Sequence, residues 1–206
     1  MRLMRYRILS TFGAALLYAG GVAQPIFANS DSCAKLMSAL QQVNCHKVHS
    51  DFPSFAIALE EILSRSSDDD IRRVLESLEF GRLAGEKMAV LGLATIYENG
   101  LGGVPLDVSR AANYYLDAVI LGSIEAKMLV AMIYCDGRIP APVLECLYFL
   151  RDAAESGHTQ ALLVLAEQLV EKLGDFKGAE VYLKKGIEFG MPGAEEALRK
   201  LLASRT

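Results

Sequence analysis

The chain has 206 residues, with 21 Lys and Arg against 25 Asp and Glu for a formal charge of −4, and 52% of it is hydrophobic. A mildly acidic chain without a basic cluster excludes electrostatic capture of nucleic acid or of an anionic lipid surface. The length suits one domain, and the apolar content is what a stack of amphipathic helices needs.

Residues 1–28 read as a secretory signal peptide. Arg2, Arg5 and Arg7 precede an apolar run from Ile8 to Ala23, and small residues follow before Asn29. The run is interrupted by Gly13, Gly20 and Gly21 and falls short of the ~20 residues that a membrane span needs. Cleavage is expected after Ala28, or else after Ala23, leaving no stable membrane span and a periplasmic or secreted protein. Residues 29–69 form an N-terminal helical segment, in which Leu36, Met37, Leu40 and Val43 suggest a helix.

From residue 70 to 206 the pattern becomes repetitive. Asp70-x3-Val74-x3-Leu78, closing at Gly81 and Gly85, reads as a helix capped by Asp70. The same cap-to-helix spacing returns from Asp107 to Ala111 and from Asp175 to Ala179. Gly85, Gly122, Gly157 and Gly190 lie 37, 35 and 33 residues apart, and each stands four residues before an alanine: Ala89, Ala126, Ala161 and Ala194. Such a period belongs to helix-pair arrays.

The clearest unit begins at Ala89. Ala89, Leu93 and Tyr97 recur every four residues along one helical stripe, with Tyr97 expected in the core. Ala111, Tyr114, Tyr115 and Ala118 fall at three-and-four spacing on a second helix. Small Ala opposite large Tyr allows close approach, and Gly100 to Gly103 supplies left-handed turn positions between the helices. The second unit keeps Ala126, Val130, Ala131, Tyr134, Phe149, Leu150 and Ala153, lacks the capping Asp and has Cys146 at the place of Ala111. The third keeps Ala161, Leu165, Ala166, Ala179, Tyr182 and Leu183. Ala194-x3-Leu198 then starts a last helix, whose Glu195, Glu196, Arg199 and Lys200 suit a terminal cap. The fold class is therefore all-α, an α-solenoid of stacked antiparallel helix pairs with about four units and a C-terminal capping helix.

These units resemble the Sel-one-like repeat family, relatives of the tetratricopeptide repeats, over roughly residues 70 to 200. The first unit carries Ala89-x3-Leu93-Ala94-x2-Tyr97-x2-Gly100, then Asp107-x3-Ala111-x2-Tyr114-Tyr115-x2-Ala118-Val119-x2-Gly122. Ala94, Ala131 and Ala166 stand where the family has glycine. The resemblance implies a solenoid that presents a concave surface to a protein partner, and it implies no chemistry.

On ~100° per residue, positions two, six and nine after each repeat alanine lie opposite the packed stripe. They are Leu91, Thr95 and Glu98 in the first unit, Met128, Met132 and Cys135 in the second, and Leu163, Glu167 and Val170 in the third. This face either docks an extended partner or is partly covered by neighbouring units.

Four cysteines in an exported chain are expected to pair. Cys135 ends the first helix of the second unit and Cys146 faces inward on its partner, so a bridge there would close the loop that lacks its capping Asp. Cys33 would then join Cys45. An unbroken helix between those two would hold them ~18 Å apart, so this bridge requires the helix to break.

Catalytic and metal motifs are weak. Ser32-Cys33-Ala34-Lys35 has serine-x-x-lysine spacing without the partner motifs of penicillin-recognising enzymes. Cys45, His46 and His49 lack a fourth zinc ligand at a familiar spacing. Asp68, Asp69 and Asp70 suit a helix start, and His158 opens a repeat helix without a nucleophile or paired acid nearby in sequence. No cofactor or metal is expected, and no enzyme. The expectation is an exported scaffold that binds an envelope or periplasmic protein. Its setting would be a secretion or exopolysaccharide apparatus, a flagellar motor or a membrane sensor. The alternative comes from secreted cysteine-rich relatives with penicillin-binding or β-lactamase-like activity. Those pair cysteines in every repeat, whereas this chain has two in one unit and none in its neighbours.

Overall fold

The computed structural model describes residues 38–204. Among these residues there are ten α-helices and no strand. They are α1 (Ala39–His49), α2 (Phe52–Leu63), α3 (Asp68–Leu83), α4 (Lys87–Asn99), α5 (Val108–Ile120), α6 (Ile124–Cys135), α7 (Val143–Glu155), α8 (Gln160–Leu173), α9 (Phe176–Glu188) and α10 (Ala194–Ala203), with a single 3-10 turn (Leu101–Gly103) after α4. The helices α4 with α5, α6 with α7 and α8 with α9 form the three repeat pairs. Each pair passes contact to the next through its second helix, α5 to α6, α7 to α8 and α9 to α10, which makes the array a solenoid.

The repeat alanines explain the close pairing. Ala89, Ala111, Ala118, Ala126, Ala153, Ala161, Ala179 and Ala194 are all fully buried, and Tyr115 is the largest side chain enclosed among them. Burying each large apolar side chain of this core contributes about 1.5–3 kcal/mol. Ends of helices are fixed by side-chain caps: Ser38 with Gln41 forms a reciprocal box on α1, and Asp51, Asp107, Ser123 and Asp175 each accept a backbone N–H two or three residues into their helices. Pro142 starts α7 without such a cap. Gly100 turns the chain out of α4 at φ 65°, and the carbonyl of Tyr97 then accepts the N–H of Asp107 at 2.8 Å, closing the loop back onto the helix.

Two expectations are corrected. Asp70 is not the cap of α3: Ser67 is, accepting the Asp70 N–H at 3.2 Å, while its own hydroxyl donates to the Asp70 carboxylate at 2.8 Å. The short serine side chain reaches the third amide and leaves all three aspartates in the first turn, where the helix dipole favours them. Tyr97 is half-buried rather than enclosed. Its ring stacks on Tyr114 at 5.8 Å and holds the Arg110 guanidinium 4.1 Å from its centroid, at the rim of the unit. Tyr134 and Phe149 repeat that ring pair in the second unit, also at 5.8 Å.

The N-terminal part departs from the helix-pair rule. α3 packs on α1 and α4, whereas α2 packs on α1, α4 and the 3-10 turn. So α1 takes the partner position beside α3, and α2 is laid on the first regular unit. Two missing side chains permit these approaches. A Cβ on Gly92 would meet the Phe55 ring at 3.0 Å, and one on Gly81 would meet the Ala89 Cβ at 2.7 Å. The sequence division at residue 69 falls within the first turn of α3.

Candidate interaction surface

The inner-face positions do not form one uniform surface. Leu91 and Thr95 on α4 are buried, because α2 packs on this helix, and the Thr95 hydroxyl donates to the Leu91 carbonyl at 2.9 Å. Neither presents a side chain to a partner. Glu98 is committed within the array: its carboxylate accepts the Tyr115 hydroxyl at 2.6 Å and the Arg138 guanidinium. From α6 onward the face opens. Met128 and Met132 on α6 and Leu163 and Val170 on α8 are half-buried, and Glu167 is exposed. Methionine is suited to such a place because its unbranched, polarizable side chain adapts to differently shaped apolar partners.

Cys135 and Cys146 are joined by a disulfide with their Cα atoms 5.0 Å apart. It ties the end of α6 to the first turn of α7 and closes the loop that carries Arg138. Cys45, on α1, is also disulfide-bonded, while Cys33, the partner inferred for it, lies outside the described residues. α1 starts only at Ala39, after a cap at Ser38. Ser32 and Lys35 lie outside the described residues as well.

Two polar clusters bind the units to one another. In the first, Glu79 on α3 accepts from the Tyr114 hydroxyl and from Arg82 at 2.7 Å, with Arg110 3.9 Å away. Partial burial raises the Glu79 pKa, but these donors and cations outweigh it and hold the carboxyl below its ordinary value. In the second, burial and the adjacent Glu98 carboxylate push the Tyr115 hydroxyl well above its ordinary value. Tyr114 and Tyr115 thus connect α5 backward to α3 and, through Glu98 and Arg138, forward to the loop after α6. The spacing of the two tyrosines was visible in sequence, whereas their carboxylate partners come from other helices.

The remaining polar candidates have ordinary surroundings. The His46 Nδ1 and the Ser50 hydroxyl are 3.2 Å apart, one turn of helix from each other. Burial lowers the pKa of His46 and of His158, and the buried His158 Nδ1 has no hydrogen-bond partner among the described residues. No group of three or more His, Cys, Asp or Glu side chains is placed to hold a metal among the described residues. Gln168 occupies the place that Ile96 and Ile133 fill in the earlier units; it is buried, with Oε1 unpaired among the described residues and Nε2 3.4 Å from Glu171.

Among the described residues the large apolar side chains with the highest fractional exposure lie elsewhere, at Phe80, Leu83 and Ile120 along the edge where α3 and α5 end. Aligning the units would have revealed them: Glu155 and Glu188 hold the place of Leu83 and Ile120 in the second and third units, and Asp117, Asp152 and Lys185 hold the place of Phe80.

Neither a protein-family model nor a curated protein matches the sequence. Among solved structures, the chain is similar to the Sel1 repeat protein from Oxalobacter formigenes, with 22% identity and a TM-score of 0.52, covering 62% of this chain and 98% of that one. It is also similar to c5321, a protective antigen of uropathogenic Escherichia coli with an SLR fold, with 18% identity and a TM-score of 0.56. That match covers 82% of this chain and 39% of the antigen, so the chain spans well under half of the antigen's length. The likeness is one of fold.

Proposed function

We infer, from the Sel1-repeat solenoid fold, that this chain is a non-catalytic protein-interaction scaffold, exported to the bacterial envelope as an adaptor, assembly factor or regulator. The observation that carries the reading is the open inner face of α6 and α8. There Met128, Leu163 and Val170 pack against the buried core of the second and third units while remaining half-exposed, and Met132 is likewise half-buried and Glu167 exposed. A rigid array with an adaptable apolar face is suited to holding a segment of another protein. Export is supported by the tripartite pattern of residues 1–28, and the Cys135–Cys146 disulfide suits an oxidising compartment.

Photo-crosslinking from position 132 or 167 in intact cells tests the surface. One envelope protein should be captured from both positions and not from position 177 on the first turn of α9. Equal capture from all three positions, or none from 132 and 167, would remove the inner face as the site. Cell fractionation with N-terminal sequencing tests export: a mature chain starting at Asn29 or Gln24 is expected, and a cytoplasmic chain starting at Met1 would overturn it.

A further inference from the structure

We propose that the edge of the solenoid where α3 and α5 end is the contact surface of a symmetric dimer, occupied by a second copy of this chain. Leu83 and Ile120 each stand two residues before a left-handed glycine, Gly85 at φ 75° and Gly122 at φ 78°, so they hold the same place on successive second helices. Those helices are held side by side by the Tyr114 hydrogen bond to Glu79 and by Arg82, whose guanidinium is 6.0 Å from the Tyr114 ring centroid. By this register Phe80, Leu83 and Ile120, which are 73%, 75% and 83% exposed, fall with Leu121 and Ile124 along one edge and make up its apolar strip. The repeat does not demand this strip, because α7 and α9 carry Glu155 and Glu188 at the place of Leu83 and Ile120.

Area and charge both point to self-association. The five side chains expose on the order of 500 Å² of apolar surface, a large part of the ~800 Å² per partner of a standard interface. Lys87 at the start of α4 and Glu125 at the start of α6 flank the strip, and both are exposed and outside every ion pair among the described residues. A two-fold axis crossing the edge midway between Leu83 and Ile120 sets the start of α4 in one copy opposite the start of α6 in the other. Leu83 then meets Ile120 twice, and Lys87 meets Glu125 twice, as an isologous contact requires. The opposite charges at its two ends make the strip complementary to itself.

Sedimentation equilibrium of the mature chain from Asn29 at loading concentrations from about 1 to about 100 µM is the test, with thermal melts by circular dichroism alongside. The wild type should show a concentration-dependent monomer and dimer, and the L83D/I120D variant should lose the dimer while melting as a folded helical protein. K87E should weaken dimerisation by about tenfold, and adding E125K to it should restore the association. Should L83D/I120D fail to fold, the K87E and K87E/E125K pair decides alone. A wild type that stays monomeric throughout overturns the proposal, as does a folded L83D/I120D that still dimerises or an E125K that fails to rescue K87E.

Discussion

Tyr115 donates its hydroxyl to Glu98 at 2.6 Å, across the interface between the two helices of the first unit, and Glu98 in turn accepts Arg138 from the second unit. The tyrosine is fully buried whereas the glutamate is half-buried, which makes the pair strongly asymmetric under mutation. Y115F leaves Glu98 with Arg138 and should cost about 1 kcal/mol, whereas Glu98→Ala strands a buried hydroxyl and should cost about 2–3 kcal/mol. Chemical denaturation of both single variants and the double variant would give the coupling. Equal costs for the two would mean that Arg138 does not compensate.

Tyr97 and Tyr115 should separate clearly. Tyr97→Ala removes a half-buried ring with one stacking and one cation contact, and a loss of about 1–2 kcal/mol is expected. Tyr115→Ala empties an enclosed site and should cost about 3–5 kcal/mol. Melting curves compared at one pH would reveal a reversed order, which would contradict the burial difference between the two positions.

Alkaline pH should destabilise the fold through Tyr115. Its folded pKa is raised well above the ordinary 10.0, first by burial and then by Glu98, so the folded state holds the phenolic proton more tightly than the unfolded chain. That stabilisation is fully present below pH 10 and is lost as pH rises through the folded pKa. Denaturant midpoints measured across that range should fall for the wild type and fall less for Y115F. Parallel slopes would assign the loss to other groups.

Gly81→Ala sets two effects against each other. Alanine gains about 1 kcal/mol in helix propensity, but overpacking in a tight core costs about 1–3 kcal/mol. With the added Cβ only 2.7 Å from the Ala89 Cβ, the clash should win and the variant should melt lower than wild type. A higher melting temperature would show that α3 and α4 can separate at little cost.

Reduction of Cys135–Cys146 should act locally first. A closed loop of this length stabilises by about 3 kcal/mol through restriction of the unfolded chain. In the reduced protein, amides of the loop between α6 and α7 should lose protection before those of α4 and α5, with helicity retained. Peptide mapping of native protein under non-reducing conditions checks the bridge itself, and free thiols at both positions would refute it.

The repeat units were legible because they depend on local periodicity. Ala89, Ala111 and Ala118 recur at helical spacing, and the left-handed Gly100 and Gly122 mark where helices end. The N-terminal arrangement was not legible, since α2 follows α1 in sequence but finds its place through Phe55 against Gly92, a long-range fit that no short spacing encodes. The same contact helps explain why Leu91 and Thr95 fell inside although their helical angle matched that of Met128 and Met132. The edge strip was not legible in the repeat pattern because Leu83 and Ile120 stand at a place the units do not share, filled by Glu155 and Glu188 further along.

Gln168 gives the array a direction. In a structure where each unit is stabilised chiefly by its neighbours, opening proceeds from the end whose interface is poorest. The first two units fill the shared position with Ile96 and Ile133, but the third has a buried amide whose oxygen has no partner among the described residues. Hydrogen exchange should therefore advance from α10 and α9 toward α5, and pulling on the two termini should unzip the chain from its C-terminal side.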